Sequence, residues 1–148
     1  MLTDEMCNII RNYAAGAVAT VDAEGRPKVS PKATFVILDA TRIAFANIRS
    51  PGTLANLKRH PAVEVCFTDI LARKAVRVSG TGEVILKADA PPEIRTPFEE
   101  GWDYLTDHMS AFVVITVTAA EMILSPGYDR GFTEAELRAT NLEKLNAL

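Results

Sequence analysis

The segment Phe45–Pro61, FANIRSPGTLANLKRHP, gathers residue types that can hold an anion. Arg49 offers a cation able to make paired hydrogen bonds, and Ser50 and Thr53 offer hydroxyls. Gly52 lets the backbone come close to a ligand. The pattern reads as a strand ending at Phe45-Ala46, a polar loop, and a short helix opening at Thr53. The first N–H groups of a helix lack intrahelical partners, and its dipole adds about half a positive charge there. A phosphate at that point would be held by the same groups, with Asn56 one turn further on. The residues fit a plain capped connection as well, with Thr53 as an ordinary N-cap and Arg49 solvated.

Two strands carry polar rows that could add to such a site. Pro27–Asp39 reads as one extended segment, in which alternation puts Ser30, Lys32 and Thr34 on one face. That row runs on into Val36 and Leu38, so it is not simply a wet face, and a partly covered polar patch is what a ligand needs. Ala75–Leu86 gives a second row, Arg77, Ser79, Thr81 and Glu83, preceded by Arg73-Lys74. It reads equally as a solvated edge or as a wall touching ligand. Arg49, Lys32, Lys74 and Arg77 would suit an anionic ligand if the fold brings them together. In the loop Ser125–Phe132, Tyr128 could stack on a planar group, close a pocket or simply join strand to helix. No Ser–His–Asp arrangement, paired carboxylate or marked nucleophile is recognisable.

The elements that must position these residues are mostly strands. Thr3 caps a first helix through about Tyr13. Ala17–Val21 and the extended segment from Pro27 form a hairpin about the turn Asp22–Gly25. Pro31 requires an edge position, a bulge or a strand start, because it removes a ladder donor. Arg42–Ala46, Ala62–Thr68, Ala75–Leu86 and Ala111–Thr118 complete six strands. Gly80 and Gly82 mark a place where a barrel could bend. Residues 87–109 read as a loop with a helical turn, and Thr133–Glu136 as a capping box opening the last helix. The expected fold is mainly β: a six-stranded antiparallel barrel with flanking helices, in one domain spanning residues 1–148.

Composition narrows the class of function. A net charge of -3 argues against a general nucleic-acid binder. No apolar run reaches membrane-spanning length, and the start MLTDEMCNII lacks the order of a signal peptide. Cys7 and Cys66 have no metal-ligand spacing, and Cys66 reads as a small buried side chain, so the expected setting is the reducing cytoplasm. His60 and His108 stand far apart, so no metal centre is expected.

Taken together, these motifs resemble the flavin-nucleotide-binding relatives of pyridoxamine 5'-phosphate oxidase. GAVATVDAEGRPKVSPKATFVILD is similar to that family's opening hairpin, and IAFANIRSPGTLANLKRHPAVEV to its strand and phosphate loop. RKAVRVSGTGEVI and SPGYDRGFTEAELR continue the likeness. The resemblance implies a split-barrel homodimer with FMN at the subunit interface. It implies that Ser30, Pro31, Lys32 and Ala33 line the flavin ring, and that Asn47, Ile48, Arg49 and Ser50 follow the ribityl chain and phosphate. It also implies Thr53 on phosphate oxygens, Arg77 and Lys74 approaching from the barrel wall, and Tyr128 and Asp129 reaching across from the partner. Oxidases of the family carry Ser-Arg-Lys where this chain has Pro51-Gly52-Thr53, which argues against pyridoxamine phosphate oxidation. The implied activity is hydride or electron transfer through FMN. A flavin carrier or sensor and a deazaflavin-dependent reductase are the alternatives, and haem is disfavoured for want of a clear histidine ligand.

Overall fold

A computed structural model describes residues 1–148. The chain begins with α1 (Asp4–Asn12), where the Thr3 hydroxyl accepts a hydrogen bond from the Met6 N–H at 3.3 Å. Asp4 and Glu5 sit in its first turn, where the dipole favours acids. Its buried side chains Met6, Ile9 and Ile10 pack into the main core, each isoleucine contributing about 1.5–3 kcal/mol.

The strands β1 (Gly16–Val21), β2 (Pro27–Lys32), β3 (Phe35–Asp39), β4 (Arg42–Asn47), β5 (Ala62–Asp69), β6 (Lys74–Leu86) and β7 (Ala111–Leu124) form one antiparallel sheet. Its order is β2-β1-β5-β6-β7-β4-β3. Seven strands replace the six expected, because Pro27–Asp39 is two strands rather than one. The chain leaves one edge of the sheet at Lys32 and joins the other at Phe35, which curls the sheet into a split barrel. Thr34 anchors that crossing: its hydroxyl donates to the Ala46 carbonyl at 3.1 Å and accepts from the Ala46 N–H at 3.2 Å. Pro31 lies on an edge strand, where its missing donor costs no ladder bond.

Phe35, Phe45 and Phe67 meet inside the barrel, with ring centroids 5.3 Å and 4.8 Å from Phe35. β6 is a central strand rather than an edge. Its register against β7 slips between Ser79 and Gly80, and a Cβ at Gly80 would stand 2.3 Å from the Thr116 carbonyl oxygen. The bend expected there is therefore a bulge that only glycine permits.

Residues 87–109 form more than a helical turn. They contain α3 (Pro92–Gly101), whose Ile94 and Phe98 cover the outer face of β4 and β7. Phe98 stacks on Phe112 with centroids 4.7 Å apart. The α2 helix (Pro51–Arg59) lies against β6 and β1. The last helix, α4 (Glu134–Asn146), opens with the capping box: the Thr133 N–H donates to Glu136 at 2.8 Å, and the Glu136 N–H donates to Thr133 at 3.2 Å. Polar contacts fasten α4 to the barrel. Arg138 donates to Asp69, Glu134 and the Tyr13 hydroxyl, and Asn141 donates to the Leu71 carbonyl. Leu142, Leu145 and Leu148 remain exposed. No helix is long and apolar enough to cross a membrane.

Candidate functional site

The anion loop and the hairpin meet in a cleft of about 550 Å³. On β2, register with β1 sets Lys28 opposite Thr20, Ser30 opposite Val18 and Lys32 opposite Gly16. Thr20, Val18 and Gly16 face the barrel interior, so Lys28, Ser30 and Lys32 turn the same way. Facing them is the start of α2, where Arg49, Ser50, Pro51, Gly52 and Thr53 line the other wall. The helix begins at Pro51, two positions earlier than the expected Thr53, because proline with its fixed φ suits the first helical position. Ser50 is thus the N-cap, and Thr53 lies one turn inside, buried on the cleft side.

Several groups in this cleft stand free. Ser50 makes no side-chain capping bond, so the Gly52 and Thr53 amides lack both intrahelical and capping partners. A Cβ at Gly52 would meet nothing within 4 Å, so the protein's own packing does not demand glycine there. Lys32 is half-buried, and its ammonium donates to the Ser30 hydroxyl. Burial pushes the Lys32 pKa below its ordinary value, with no carboxylate to oppose the shift. Elsewhere the half-buried cations Arg42, Lys74, Arg95 and Arg138 each meet carboxylates, and Lys87 donates to the Thr106 carbonyl. The one carboxylate lining the cleft, Asp22, accepts from the Glu24 and Arg26 N–H groups and pairs with Lys28 at 3.6 Å. The cleft therefore holds a cationic surplus around unused donors, which is the chemistry of a phosphate site.

Of the residues singled out from sequence, Ser30, Pro31, Lys32, Arg49, Ser50 and Thr53 come together here. Ala33 follows Lys32 at the sheet edge and is exposed, as is Ile48 in the loop. Asn47 closes β4 and is buried; its Nδ2 donates to the Ser110 hydroxyl at 2.8 Å, while its Oδ1 has no partner. Lys74, Arg77, Tyr128 and Asp129 are not among the cleft residues. Lys74 pairs with Glu5 and Glu134 at the α1–α4 side. Arg77 pairs with Glu121 on the outer sheet face. The Tyr128 hydroxyl donates to the Ala72 carbonyl at 2.6 Å, and Asp129 is exposed. Cys66 is not buried as expected; it is half-exposed on the outer face, between Ala17 and Arg77. The reading missed Thr20, Asp22 and Lys28. The alternation that selected Lys32 and Ser30 reaches Lys28 one step back.

The chain belongs to the pyridoxamine 5'-phosphate oxidase family, whose model matches residues 2–124. Among solved structures, HupZ of Group A Streptococcus superposes with a TM-score of 0.74 at 24% identity, over 84% of this chain and 96% of that one. An FMN-binding protein from Syntrophomonas wolfei subsp. wolfei gives 0.67 at 17% identity, over 81% of this chain and 84% of that one. An F420 reductase gives 0.56 at 20% identity, over 72% and 87% respectively. At these identities the likeness establishes the fold. No curated protein matches the sequence.

Proposed function

We propose that this protein is an FMN-binding oxidoreductase that works as a cytoplasmic homodimer, passing hydride or electrons between a small molecule and the flavin. The observation that carries the reading is the pair Lys32 and Arg49. Both line one cleft without a carboxylate partner, Arg49 beside the free start of α2 and Lys32 on the β2 wall that faces it. Family membership supports a flavin phosphate as the anion, and the FMN-binding relative from Syntrophomonas supports it further. In this reading Arg49 and Lys32 neutralise the phosphate, and Ser50, Thr53 and the Gly52 amide hydrogen-bond it. Ser30, Pro31 and Ala33 border the ring. FMN, when bound, supplies the hydride-accepting centre, so the protein's part is to bind, orient and shield it.

Arg77 lies with Ala17 and Cys66 on the outer face, which a second subunit would cover. In the dimer Lys74, Tyr128 and Asp129 complete the surroundings of the flavin. The deciding experiment is titration of the purified protein with FMN, followed by the flavin band near ~450 nm and then by anaerobic mixing with NADH or NADPH. Saturable binding and bleaching of the band are expected. Binding without reduction by either donor would favour a carrier. Binding of the deazaflavin F420 in preference to FMN would replace the cofactor.

A further inference from the structure

Beside Leu54, which packs on the core, two contacts seat the α2 helix on the barrel. Leu57 packs over Gly82 of β6, where an added Cβ would meet its methyl carbons at 3.1 and 3.3 Å. Asn56 donates from Nδ2 to the Thr20 hydroxyl of β1 at 3.0 Å, and both residues are more than nine-tenths buried. The two contacts differ in kind. A leucine on a glycine is non-directional and lets the helix roll about its axis. A buried hydrogen bond fixes the roll, because leaving either partner unpaired is costly.

Thr53 sits one turn before Asn56 on the same buried face. Thr20 sits directly opposite Lys28 on the hairpin whose inner row continues through Ser30 to Lys32. The Asn56–Thr20 bond is thus a direct link between the two walls of the cleft. The geometry points to Asn56 and Thr20 as positioning residues for the flavin phosphate: they set the start of α2 against the cations of β2. This rests on the flavin reading above. Neither residue need touch the phosphate, since their role is to hold Thr53 and the Gly52 amide at the distance that a phosphate bridges.

The test compares FMN with riboflavin, which has the same ring and ribityl chain but no phosphate. Thr20→Val keeps the side-chain shape and removes the acceptor; Asn56→Leu removes the donor; Thr20→Ser keeps the hydroxyl. Dissociation constants come from flavin fluorescence, with thermal unfolding of each ligand-free variant to establish that it folds. Thr20→Val and Asn56→Leu should each weaken FMN about tenfold while riboflavin affinity stays within about twofold. Thr20→Ser should restore the wild-type preference, and its recovery keeps the test decisive if another variant is unstable. Equal losses for both flavins, or no loss for either, would overturn the positioning role while leaving the flavin site intact. A wild-type protein that binds neither flavin would overturn the flavin reading, and the positioning role of Asn56 and Thr20 with it.

Discussion

Lys32 is the residue whose environment asks most plainly for a ligand. Its ammonium is drawn into a half-buried position by the inward alternation of β2, yet it meets only the Ser30 hydroxyl. A bound phosphate favours its charged form, so affinity should be highest below the Lys32 pKa and fall as pH rises through it. Because burial lowers that pKa from 10.5, the alkaline loss of FMN binding should begin earlier than for an ordinary lysine. Lys32→Met should weaken binding at neutral pH and abolish the alkaline limb, while Lys32→Arg should keep the affinity and move the limb upward. An FMN affinity indifferent to all three conditions would remove Lys32 from the phosphate. Arg49→Ala with Thr53→Ala should weaken FMN by roughly 1–3 kcal/mol per lost bond, read by fluorescence titration. These two residues were legible from sequence because anion chemistry concentrates in a short stretch around Gly52. Lys28 lay one step back along the alternation that picks out Ser30 and Lys32, whereas Thr20 was not legible, since its place in the cleft depends on register between β1 and β2 and on the packing of α2 rather than on its neighbours in the chain.

At the scale of elements, the hairpin β1–β2 and the α4 capping box follow from local chemistry: a turn closed by Asp22, and Thr133 with Glu136 three residues on. The break between β2 and β3 does not, because the only local mark of it in residues 27–39 is the change from alternating residues to the apolar run Phe35–Leu38, and the crossing is fixed from outside, by Thr34 on Ala46. Likewise Pro97 disguises α3, which forms because Phe98 and Ile94 find a partner surface on β4 and β7. The bulge at Gly80 is the element most exposed to test. Gly80→Ala drives a Cβ into backbone at Thr116, and should cost about 1–3 kcal/mol in denaturant unfolding. A variant as stable as wild type would show that the bulge relaxes freely. For α4 the critical contact is Asp69. Burial alone would raise its pKa, but hydrogen bonds from the Ala72 N–H, the Tyr13 hydroxyl and Arg138 outweigh burial and hold it below 3.8. A carboxylate depressed in this way contributes stability that is complete above the unfolded value and lost as pH falls through the folded one. Asp69→Asn should therefore destabilise the protein by about 1–3 kcal/mol near neutrality. The gap to wild type should close as the pH is taken below 3.8. A gap that persists in acid would place the effect elsewhere than in this charge.

At the scale of the whole molecule, the sheet has one face turned to the core and one turned out; α3 covers the outer face on β4 and β7, while on β2, β1, β5 and β6 it stays open. Cross-strand register aligns Pro31, Ala17, Cys66, Arg77 and Glu121 in one row, and Val29, Ala19, Glu64, Ser79 and Ala119 in the next. Small side chains dominate β1 there, and Val29 stands 67% exposed beside them. β2 belongs to both: Lys28, Ser30 and Lys32 line the cleft from its inward side, while Val29 and Pro31 border the cleft and belong to the outer surface as well. A second subunit laid on the outer face would thus sit next to the proposed flavin site and could close it. Sedimentation at micromolar concentration should give twice the 16.1 kDa chain mass. Ala17 is exposed in the single chain, so Ala17→Arg should leave the fold and its unfolding temperature near wild type while splitting the assembly. If the partner completes the site, the same variant should lose FMN affinity although Ala17 lies outside the cleft, and the loss should track the monomer fraction as protein concentration is varied. A wild-type monomer that binds FMN fully would show that one barrel suffices, and would confine the flavin to the cleft between β2 and α2.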